Sequence, residues 1–318
     1  MKKIFVIFIL CLAVSMQAQY QSVLIGSNYP DEVSICINPK NPNQMVAGAN
    51  INLEYYSSDG GLTWTQSSIS STVCGVWGDP IIIADTAGSF YYLHLSDPSQ
   101  TFGGPGFLDR IVIQKSTDAG ITWSDGAFTE PNTDGKLQDK HGVAINPKTN
   151  EMYVCWTSFD HYGSTAPGDS SVILFSKSSD GGLTWSTPQR ISTHAGDCSD
   201  SDGTVEGCVP AIGAHGEIYA IWAGPLGIIF NMSTDDGTTW LPTDKVISDL
   251  PGGWDYNISG LQRCNGMPAT FCDQSGGPNN GTIYVNWTDQ RNGTTDTDVW
   301  LIKSSDGGST WTAPMACE

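Results

Sequence analysis

"SSDGGLTW", residues 57–64, decides the fold because the chain repeats it. Related phrases begin at four later positions: STDAGITW at 116, SSDGGLTW at 178, STDDGTTW at 233 and SSDGGSTW at 304. The starting positions of the five copies are separated by 59, 62, 55 and 71 residues. Unequal spacing of this size is typical of structural repeats that carry loops of different length.

Each conserved letter of the phrase has a local role in a tight turn. The Asp59 carboxylate can accept backbone N–H groups across the turn, and the Thr63 hydroxyl can add a further hydrogen bond. Gly61 can adopt a positive φ, and Trp64 supplies a large apolar anchor. Because every copy keeps these four residue types, the phrase predicts a scaffold turn and not a catalytic site.

The segments between the repeated turns have the composition of β-strands. Short runs rich in β-branched and aromatic residues, such as FYYLHL, MYVCWTSF and EIYAIWAG, are bounded by Gly, Asn, Asp and Pro. Each unit is interpreted as three strands, the repeated turn and a fourth strand, which is one propeller blade. The sequence therefore predicts an all-β propeller of four-stranded antiparallel blades over residues 19–318, with five blades visible.

The pattern S-x-D-x-G-x-T-W resembles the Asp-box, or bacterial neuraminidase repeat, of sialidase-like β-propellers. The five copies span nearly all of residues 19–318. The resemblance implies a ring of six blades, so we expect the five visible blades to be part of a truncated six-bladed ring, with a five-bladed ring as the alternative. It implies less about function, because the box occurs in sialidases, other glycosidases, polysaccharide lyases and non-catalytic binding propellers.

Residues 1–18, MKKIFVIFILCLAVSMQA, are typical of a cleaved signal peptide. Their apolar run is too short to span a bilayer stably. Loss of Lys2 and Lys3 would change the formal net charge from −19 to about −21, which argues against a nucleic-acid or anionic-membrane partner. We therefore expect a bacterial protein that is secreted or periplasmic and is not inserted in a membrane. The family resemblance implies a glycan or glycoconjugate as its partner.

Functional residues are expected at the end of the propeller opposite the repeated turns. Consecutive strands run antiparallel, so the loops between second and third strands and the connections between blades share that end. Arginines there could bind a sugar carboxylate, and carboxylates could supply an acid and a base for glycosidic bond cleavage. The alternative for each residue is a structural cap or an ion pair within its own loop.

Ten residues in these connections are candidate site residues, and the family resemblance implies roles for three of them. Sialidases of this fold use an arginine triad for the substrate carboxylate, an aspartate acid/base, and a tyrosine nucleophile assisted by a glutamate. By position, Asp79 corresponds to the acid/base, Glu206 to the glutamate and Arg263 to a triad arginine. The other seven are predicted to bind substrate: Trp77, Arg110, Asp139, His141, Trp254, Asp289 and Arg291.

Two departures from the family pattern leave alternatives open. The Arg-Ile-Pro motif of the first blade is absent, because the corresponding region reads NYPDEVSICINP, and no late tyrosine matches the nucleophile motif, although Tyr162 and Tyr256 are available. The leading hypothesis is a secreted sialidase-like glycoside hydrolase, in its specific form an exo-α-sialidase. A non-catalytic glycan-binding or adhesion propeller is the first alternative, and a polysaccharide lyase that uses His141 or His161 is the second.

One acidic loop, DCSDSDG at residues 197–203, is a candidate cation site. Asp197, Asp200 and Asp202 could supply oxygen ligands to Ca²⁺. The loop departs from the EF-hand pattern at its first ligand position, where Cys198 stands. We therefore expect a solvated acidic loop and no required cofactor or catalytic metal, with calcium as the alternative.

Overall fold

The computed structural model describes residues 22–27, 29–129, 135–261 and 264–317. The predicted signal peptide, residues 1–18, and the candidate Arg263 lie outside the described residues. Within the described ranges the regular secondary structure consists of β-strands. None of that part forms a helix with the length and apolar character needed to cross a bilayer.

Twenty strands in the described ranges form five four-stranded sheets. Sheet 1 contains β1 (Ser34–Ile37), β2 (Met45–Ala49), β3 (Leu53–Ser57) and β4 (Thr65–Ser68). Sheet 2 contains β5 (Gly78–Ala84), β6 (Phe90–Leu95), β7 (Ile111–Ser116) and β8 (Ala127–Phe128). Sheet 3 contains β9 (Leu137–Ile145), β10 (Met152–Phe159), β11 (Ser171–Ser178) and β12 (Gln189–Arg190).

The last two sheets follow the same plan. Sheet 4 contains β13 (Glu206–Ile212), β14 (Ile218–Gly224), β15 (Gly227–Ser233) and β16 (Lys245–Ser248). Sheet 5 contains β17 (Ala269–Cys272), β18 (Ile283–Asp289), β19 (Asp298–Ser304) and β20 (Met315–Ala316). In every sheet the four strands are neighbours in chain order, and all ladders are antiparallel.

Successive sheets pack through their first strands. Strand β1 lies beside β5, β5 beside β9, β9 beside β13, and β13 beside β17. This succession of four-stranded meanders is the arrangement of propeller blades. It confirms the prediction of an all-β chain built from four-stranded antiparallel units, and it places the first strands around the middle of the molecule. The number of blades in a closed ring stays a prediction.

The repeated turns join the third and fourth strands of each sheet, as predicted. In the first copy, Asp59 Oδ1 accepts the Thr63 N–H at 2.9 Å and Oδ2 accepts the Thr63 hydroxyl at 2.6 Å. These bonds lower the pKa of Asp59 to about 2. Trp64 donates its indole N–H to the Gly61 carbonyl at 3.0 Å, and Gly61 has a φ of 85°. All of these contacts are local, so the turn acts as a scaffold.

Large apolar side chains fill the spaces between neighbouring sheets. Leu93 of sheet 2 and Trp156 of sheet 3 share one buried cluster. Phe175 of sheet 3 and Trp222 of sheet 4 share the next. Burial of a side chain of this size contributes about 1.5–3 kcal/mol relative to exposure. The core therefore lies between the sheets and fixes each first strand relative to its neighbours.

Candidate functional site

Three of the first strands contain a β-bulge at the same place, near their N-terminal ends. The ladder registers of β5, β9 and β13 each shift there. Asp79, Lys140 and Gly207 lie two residues before regular pairing resumes, and their φ values are 53°, 43° and 70°. Glu32, with φ of 46°, lies at the same offset before β1. Four neighbouring first strands thus share one local backbone geometry.

This geometry is costly for residues with a side chain. A non-glycine residue in the left-handed region costs about 1–3 kcal/mol and persists where the surrounding structure holds it. Bulges commonly redirect side chains next to functional sites. Gly207 has a further constraint, because a Cβ there would lie 2.7 Å from the Met267 sulfur. Sheets 1 to 3 therefore each present a charged side chain, and sheet 4 presents none at this position.

The three charged residues form one connected cluster across three sheets. Lys140 Nζ donates to Asp79 Oδ2 at 2.6 Å and lies 3.7 Å from Glu32 Oε1. Asn50 holds the two acidic residues together, because its Nδ2 donates to Glu32 Oε2 at 2.5 Å and its Oδ1 accepts the Asp79 N–H at 2.7 Å. The Asp79 and Lys140 side chains are each 18% exposed. Most of the surface of these two side chains is therefore buried, and the remainder is open to solvent.

Its electrostatics hold Asp79 ionised. Burial opposes the charge of Asp79, but a hydrogen bond with Glu32 and the positive charge of Lys140 outweigh it and lower the pKa of Asp79 to about 2. The hydrogen bond with Asp79, together with burial, raises the pKa of Glu32. Burial also opposes the charge of Lys140, but Asp79, Asp139 and Glu32 raise the pKa of that ammonium group. At neutral pH the Asp79–Lys140 pair is therefore fully charged.

A second pair of carboxyls directly precedes Lys140 and Gly207 in the sequence. Asp139 and Glu206 immediately precede the bulges of β9 and β13 and pair in register with Thr157 and Ala223. Both are buried. Burial raises the pKa of Asp139 to about 7, although Lys140 opposes the shift, and Asp139 Oδ1 accepts the Lys140 N–H at 2.7 Å. Asp139 is consequently a carboxyl that carries its proton close to neutral pH.

Tyr162 lies beside these carboxyls, in the loop between β10 and β11. Its hydroxyl donates to Asp200 Oδ2, and its ring packs edge-on against Phe159 with 5.0 Å between ring centroids. Burial and the bond to Asp200 raise the pKa of Tyr162, and the charges of Asp139 and Glu206 add to the effect. The phenol therefore stays protonated at neutral pH.

These groups line a cavity of about 750 Å³, within the range of roughly 300–1,000 Å³ typical of small-molecule sites. The polar lining residues, here called the polar wall, are Asp31, Glu32, Asn50, Asp79, Asp139, Lys140, Tyr162 and Asn265. The apolar lining residues are Ile51, Trp77, Leu95, Phe102, Phe107 and Leu108. A concave site with one apolar wall and a small set of convergent polar groups is suited to a ligand such as a sugar.

A smaller cavity of about 460 Å³ adjoins the first and shares the charged cluster with it. His141, Gly207 and Met267 are among its lining residues. Burial lowers the pKa of His141 to about 4. The imidazole is therefore neutral at physiological pH and adds no positive charge to the site.

Four of the ten predicted site residues line these cavities: Trp77, Asp79, Asp139 and His141. Glu206 is buried beside them, close enough for its charge to act on Tyr162. Arg110 does not line either cavity. It forms an ion pair with the adjacent Asp109 and lies over the Phe128 ring at 4.5 Å, so its guanidinium serves the local structure of sheet 2.

The remaining predicted residues lie elsewhere. Asp289 and Arg291 hydrogen-bond to each other, and the Arg291 guanidinium lies 4.5 Å from the Trp300 ring centroid. Trp254 is buried and donates its indole N–H to the Thr204 carbonyl at 3.2 Å. None of these three lines the large cavity. Their substrate-binding role stays a prediction, with a cap or local ion pair as the alternative.

The acidic loop uses its three aspartates for separate hydrogen bonds. Asp197 Oδ1 accepts the Ser199 N–H at 3.0 Å, Asp200 accepts the Tyr162 hydroxyl, and Asp202 Oδ1 accepts the Asp255 N–H at 2.8 Å. Among the residues that the structure describes, no group of three His, Cys, Asp or Glu side chains is placed to hold a metal ion. Calcium binding by this loop stays a prediction.

Four lining residues are absent from the predicted site: Glu32, Lys140, Phe102 and Phe107. Lys140 stands between the predicted residues Asp139 and His141, and Glu32 lies in the arginine-free segment NYPDEVSICINP. A shared offset before the first strand of each repeat is the signal that could have aligned Glu32, Asp79, Lys140 and Gly207. The two phenylalanines lie in an irregular loop that carries no repeat pattern.

Comparisons with known proteins support the architecture. No described protein family matches the sequence, and no curated protein matches it. A solved protein of unknown function from Dyadobacter fermentans is similar over 90% of this chain and 82% of its own, with 14% identity and a TM-score of 0.56. An α-L-arabinanase from Penicillium chrysogenum, solved with arabinobiose, is similar over 90% of this chain and 80% of its own, with 16% identity and a TM-score of 0.53.

The NanB sialidase of Streptococcus pneumoniae is a further structural neighbour. It is 8% identical over 86% of this chain and 67% of its own, with a TM-score of 0.55. Identities this low show a shared all-β propeller fold and do not show a shared activity or substrate. The fold is thus one that solved glycoside hydrolases use, whereas the chemistry of this chain has to be argued from its own cavity.

Proposed function

We propose that this protein is a glycoside hydrolase that cleaves glycans in the large cavity. The observation that carries the proposal is a pair of carboxyls on one cavity wall with opposite pKa shifts. Asp79 has a pKa of about 2 and Asp139 a pKa of about 7. Two carboxyls whose environments separate their pKa values in this way supply an acid and a base at the same pH.

Glycosidic bond cleavage requires those two forms. Protonated Asp139 is the group that would donate a proton to the departing glycosidic oxygen. Ionised Asp79 would face the positive charge that develops at the sugar and would serve as the base or nucleophile. Lys140 acts as a positioning residue, because it holds Asp79 at 2.6 Å and donates its own backbone N–H to Asp139. Tyr162 completes the polar lining, and Glu206 is buried beside it.

The more specific assignment, an exo-α-sialidase, needs a cation for the substrate carboxylate. Arg110 and Arg291 are paired with Asp109 and Asp289 outside the cavity, and Lys140 is engaged by Asp79. Arg263 lies outside the described residues. We therefore propose a glycoside hydrolase without assigning its sugar, and the substrates tested include a sialoside. Export by the predicted signal peptide would place such an enzyme among extracellular or periplasmic glycans.

The test is turnover of fluorogenic glycosides by the purified protein and two variants. The panel contains α-L-arabinofuranoside, β-xyloside, β-galactoside, β-glucuronide and α-sialoside of 4-methylumbelliferone. Asp139→Asn is expected to lower kcat by about 10²–10⁴-fold, the usual contribution of a general acid. Asp296→Asn is the matched control, since Asp296 is an exposed aspartate outside the cavity, and it is expected to keep kcat within about twofold.

Two results would contradict the hydrolase proposal. One is turnover that Asp139→Asn leaves unchanged while circular dichroism shows the variant folded. The other is an absence of turnover across glycosides and natural polysaccharides by a folded protein that binds glycans. The second result would favour the non-catalytic binding propeller.

A further inference from the structure

We propose that the cavity binds an uncharged oligosaccharide and that Phe102 forms an outer subsite for a second sugar unit. This inference rests on the proposed hydrolase function and names the substrate class of the same site. Two independent features carry it: an aromatic wall that continues out of the cavity to an exposed ring, and a polar wall on which the positive charge is already paired.

The aromatic wall consists of Trp77, Phe107 and Phe102. The Trp77 and Phe107 rings meet edge to face, with 4.9 Å between centroids. Phe102 lies 4.9 Å from Phe107 and 5.9 Å from Trp77. Phe107 is buried, Trp77 is half-buried, and Phe102 is 74% exposed. The three rings therefore lead from the interior of the cavity to its rim.

The loop that carries Phe102 and Phe107 is held by hydrogen bonds at its base. Ser96 Oγ donates to Asp109 Oδ1 at 2.9 Å, and the Ser96 carbonyl accepts the Leu108 N–H at 2.9 Å. Within the loop, the Phe107 N–H donates to the Gly104 carbonyl at 3.1 Å. A fixed base presents the rim ring in a defined place, which lowers the entropic cost of ligand binding.

An exposed phenylalanine at a cavity rim is suited to a sugar. A single exposed apolar residue is ordinary on a protein surface, but this one extends an aromatic wall that already belongs to the site. Aromatic rings present a flat apolar face with a negative quadrupole, onto which the C–H face of a pyranose or furanose can pack. One sugar unit fills the region beside Asp139, so the Phe102 ring contacts the next unit of a chain.

The polar wall disfavours an additional negative charge. Four acidic residues line the cavity, Asp31, Glu32, Asp79 and Asp139, against one basic residue within the described part of the chain, Lys140. That ammonium group is 2.6 Å from Asp79 and 3.7 Å from Glu32. A carboxylated sugar would bring a further negative charge beside ionised Asp79, whose one counter-ion, Lys140, is already engaged, and like-charge contacts of this kind disfavour binding. Hydroxyl groups, in contrast, can donate to the same oxygens.

The first experiment measures binding without turnover. Asp139→Asn protein is titrated calorimetrically and by tryptophan fluorescence with arabino-, xylo-, galacto- and gluco-oligosaccharides of one to five units. We expect at least one neutral series to bind, with affinity rising between one and three units. Phe102→Ala in that background is expected to raise the Kd of the trisaccharide about tenfold, the effect of losing part of one buried aromatic contact, and that of the monosaccharide by a smaller factor.

Two variants make this result specific. Phe102→Trp keeps an aromatic rim and is expected to retain tight binding of the trisaccharide. Phe271→Ala is the matched control, because Phe271 is 66% exposed on β17 and lines neither cavity, and it is expected to leave the Kd unchanged. Equal effects of Phe102→Ala and Phe271→Ala, or no binding of any neutral oligosaccharide by folded protein, would overturn the proposal.

The second experiment tests charge. Sialyl-lactose and a glucuronide are titrated in parallel, and we expect a Kd at least about a hundredfold higher than for the best neutral ligand. Preferred binding of an acidic sugar that Arg263→Ala abolishes would overturn the uncharged-substrate inference and leave hydrolysis intact. Binding of neutral chains without cleavage by the wild-type protein would instead contradict the hydrolase proposal and leave the subsite standing.

Discussion

Lys140 in sheet 3 donates a 2.6 Å hydrogen bond to Asp79 in sheet 2, and both residues leave their strands at bulges with a positive φ. The pair thus joins two blades at the position where each backbone turns its side chain toward the cavity. Because neither side chain is more than 18% exposed, removal of one partner leaves a poorly solvated charge. This relationship gives the first prediction.

Lys140→Met is expected to destabilise the protein by about 3 kcal/mol at pH 7, since it leaves Asp79 without its counter-ion. The pKa of Asp79 is about 2, below its ordinary value of 3.8. Its contribution to stability is therefore present above about pH 4 and lost as the pH falls through about 2. Urea unfolding between pH 3 and pH 7 should show the deficit of the variant shrinking toward the acidic end.

The control for this change is Lys177→Met. Lys177 pairs with Asp236, and their side chains are 32% and 41% exposed. An exposed pair contributes about 0–1 kcal/mol, so this variant should lose far less stability. Equal losses in the two variants would show that the Asp79–Lys140 pair has no special energetic role.

The pKa of Asp139 predicts the alkaline limb of activity. If protonated Asp139 is the acid, kcat/KM should fall about tenfold per pH unit above a pKa of about 7. Burial of this carboxyl is the cause of the shift. Initial rates on the best fluorogenic glycoside between pH 4 and pH 9 measure this fall in kcat/KM. A kcat/KM that stays constant up to pH 9 would show that Asp139 is not the general acid.

The same group makes a separate prediction for stability. The native state keeps the Asp139 proton up to about pH 7, whereas the unfolded chain releases it near 3.8. The native state thus binds more protons in this window, so this contribution to stability is lost as the pH rises from about 4 to 7, by about 2–4 kcal/mol. Asp139→Asn should lack that decline, which urea titrations of both proteins would reveal.

Gly207→Ala is expected to lower the free energy of unfolding by about 1–3 kcal/mol. The residue has φ of 70°, and a Cβ would lie 2.7 Å from the Met267 sulfur. Gly276→Ala separates the two causes, because Gly276 has a similar φ of 72° and open space around its Cβ position. The difference between the two losses measures the cost of displacing Met267, and a smaller loss at Gly207 would contradict the clash.

Arg291→Ala is expected to destabilise the protein by about 3–5 kcal/mol and to leave the KM of the remaining folded enzyme unchanged. Asp289 is fully buried and hydrogen-bonds to Arg291, so truncation leaves its charge unpaired. Thermal unfolding and Michaelis–Menten kinetics on the same sample separate stability from binding. A rise in KM without loss of stability would restore Arg291 as a substrate-binding residue.

Asp180→Ala in the third repeated turn should lower Tm by a few degrees and keep kcat/KM within about twofold. Asp180 Oδ1 accepts N–H groups of Leu183 and Thr184, and its Oδ2 accepts the Thr184 hydroxyl. The turn lies at the end of the sheet away from the bulge of β9. Loss of activity with an unchanged Tm would contradict the scaffold role of the repeated phrase.

The repeated turns could be predicted because their interactions are local. Asp59 bonds to a residue four positions away, so a short phrase contains nearly all of the information that forms the turn, and its repetition predicts a propeller. Arg110 was assigned to substrate because its loop faces the site. Its ion-pair partner in the structure, Asp109, is the preceding residue, so this contact is one that the sequence places next to the arginine.

The charged cluster could not be predicted in the same way. Lys140 and Asp79 are 61 residues apart, and their contact depends on how two sheets pack and on bulges that place both side chains. Sequence reasoning found Asp79 and Asp139 as acidic residues in the right connections. The opposite pKa shifts of the two carboxyls depend on burial and on Lys140, which only the assembled sheets determine.

The shared positive-φ position determines which charges the first three sheets present to the cavity. Glu32, Asp79, Lys140 and Gly207 differ in charge and size, yet each has a positive φ at the same offset before regular strand pairing. A single codon change at one of these positions therefore alters the charge that its sheet presents, at a cost in stability that depends on the partner it leaves behind.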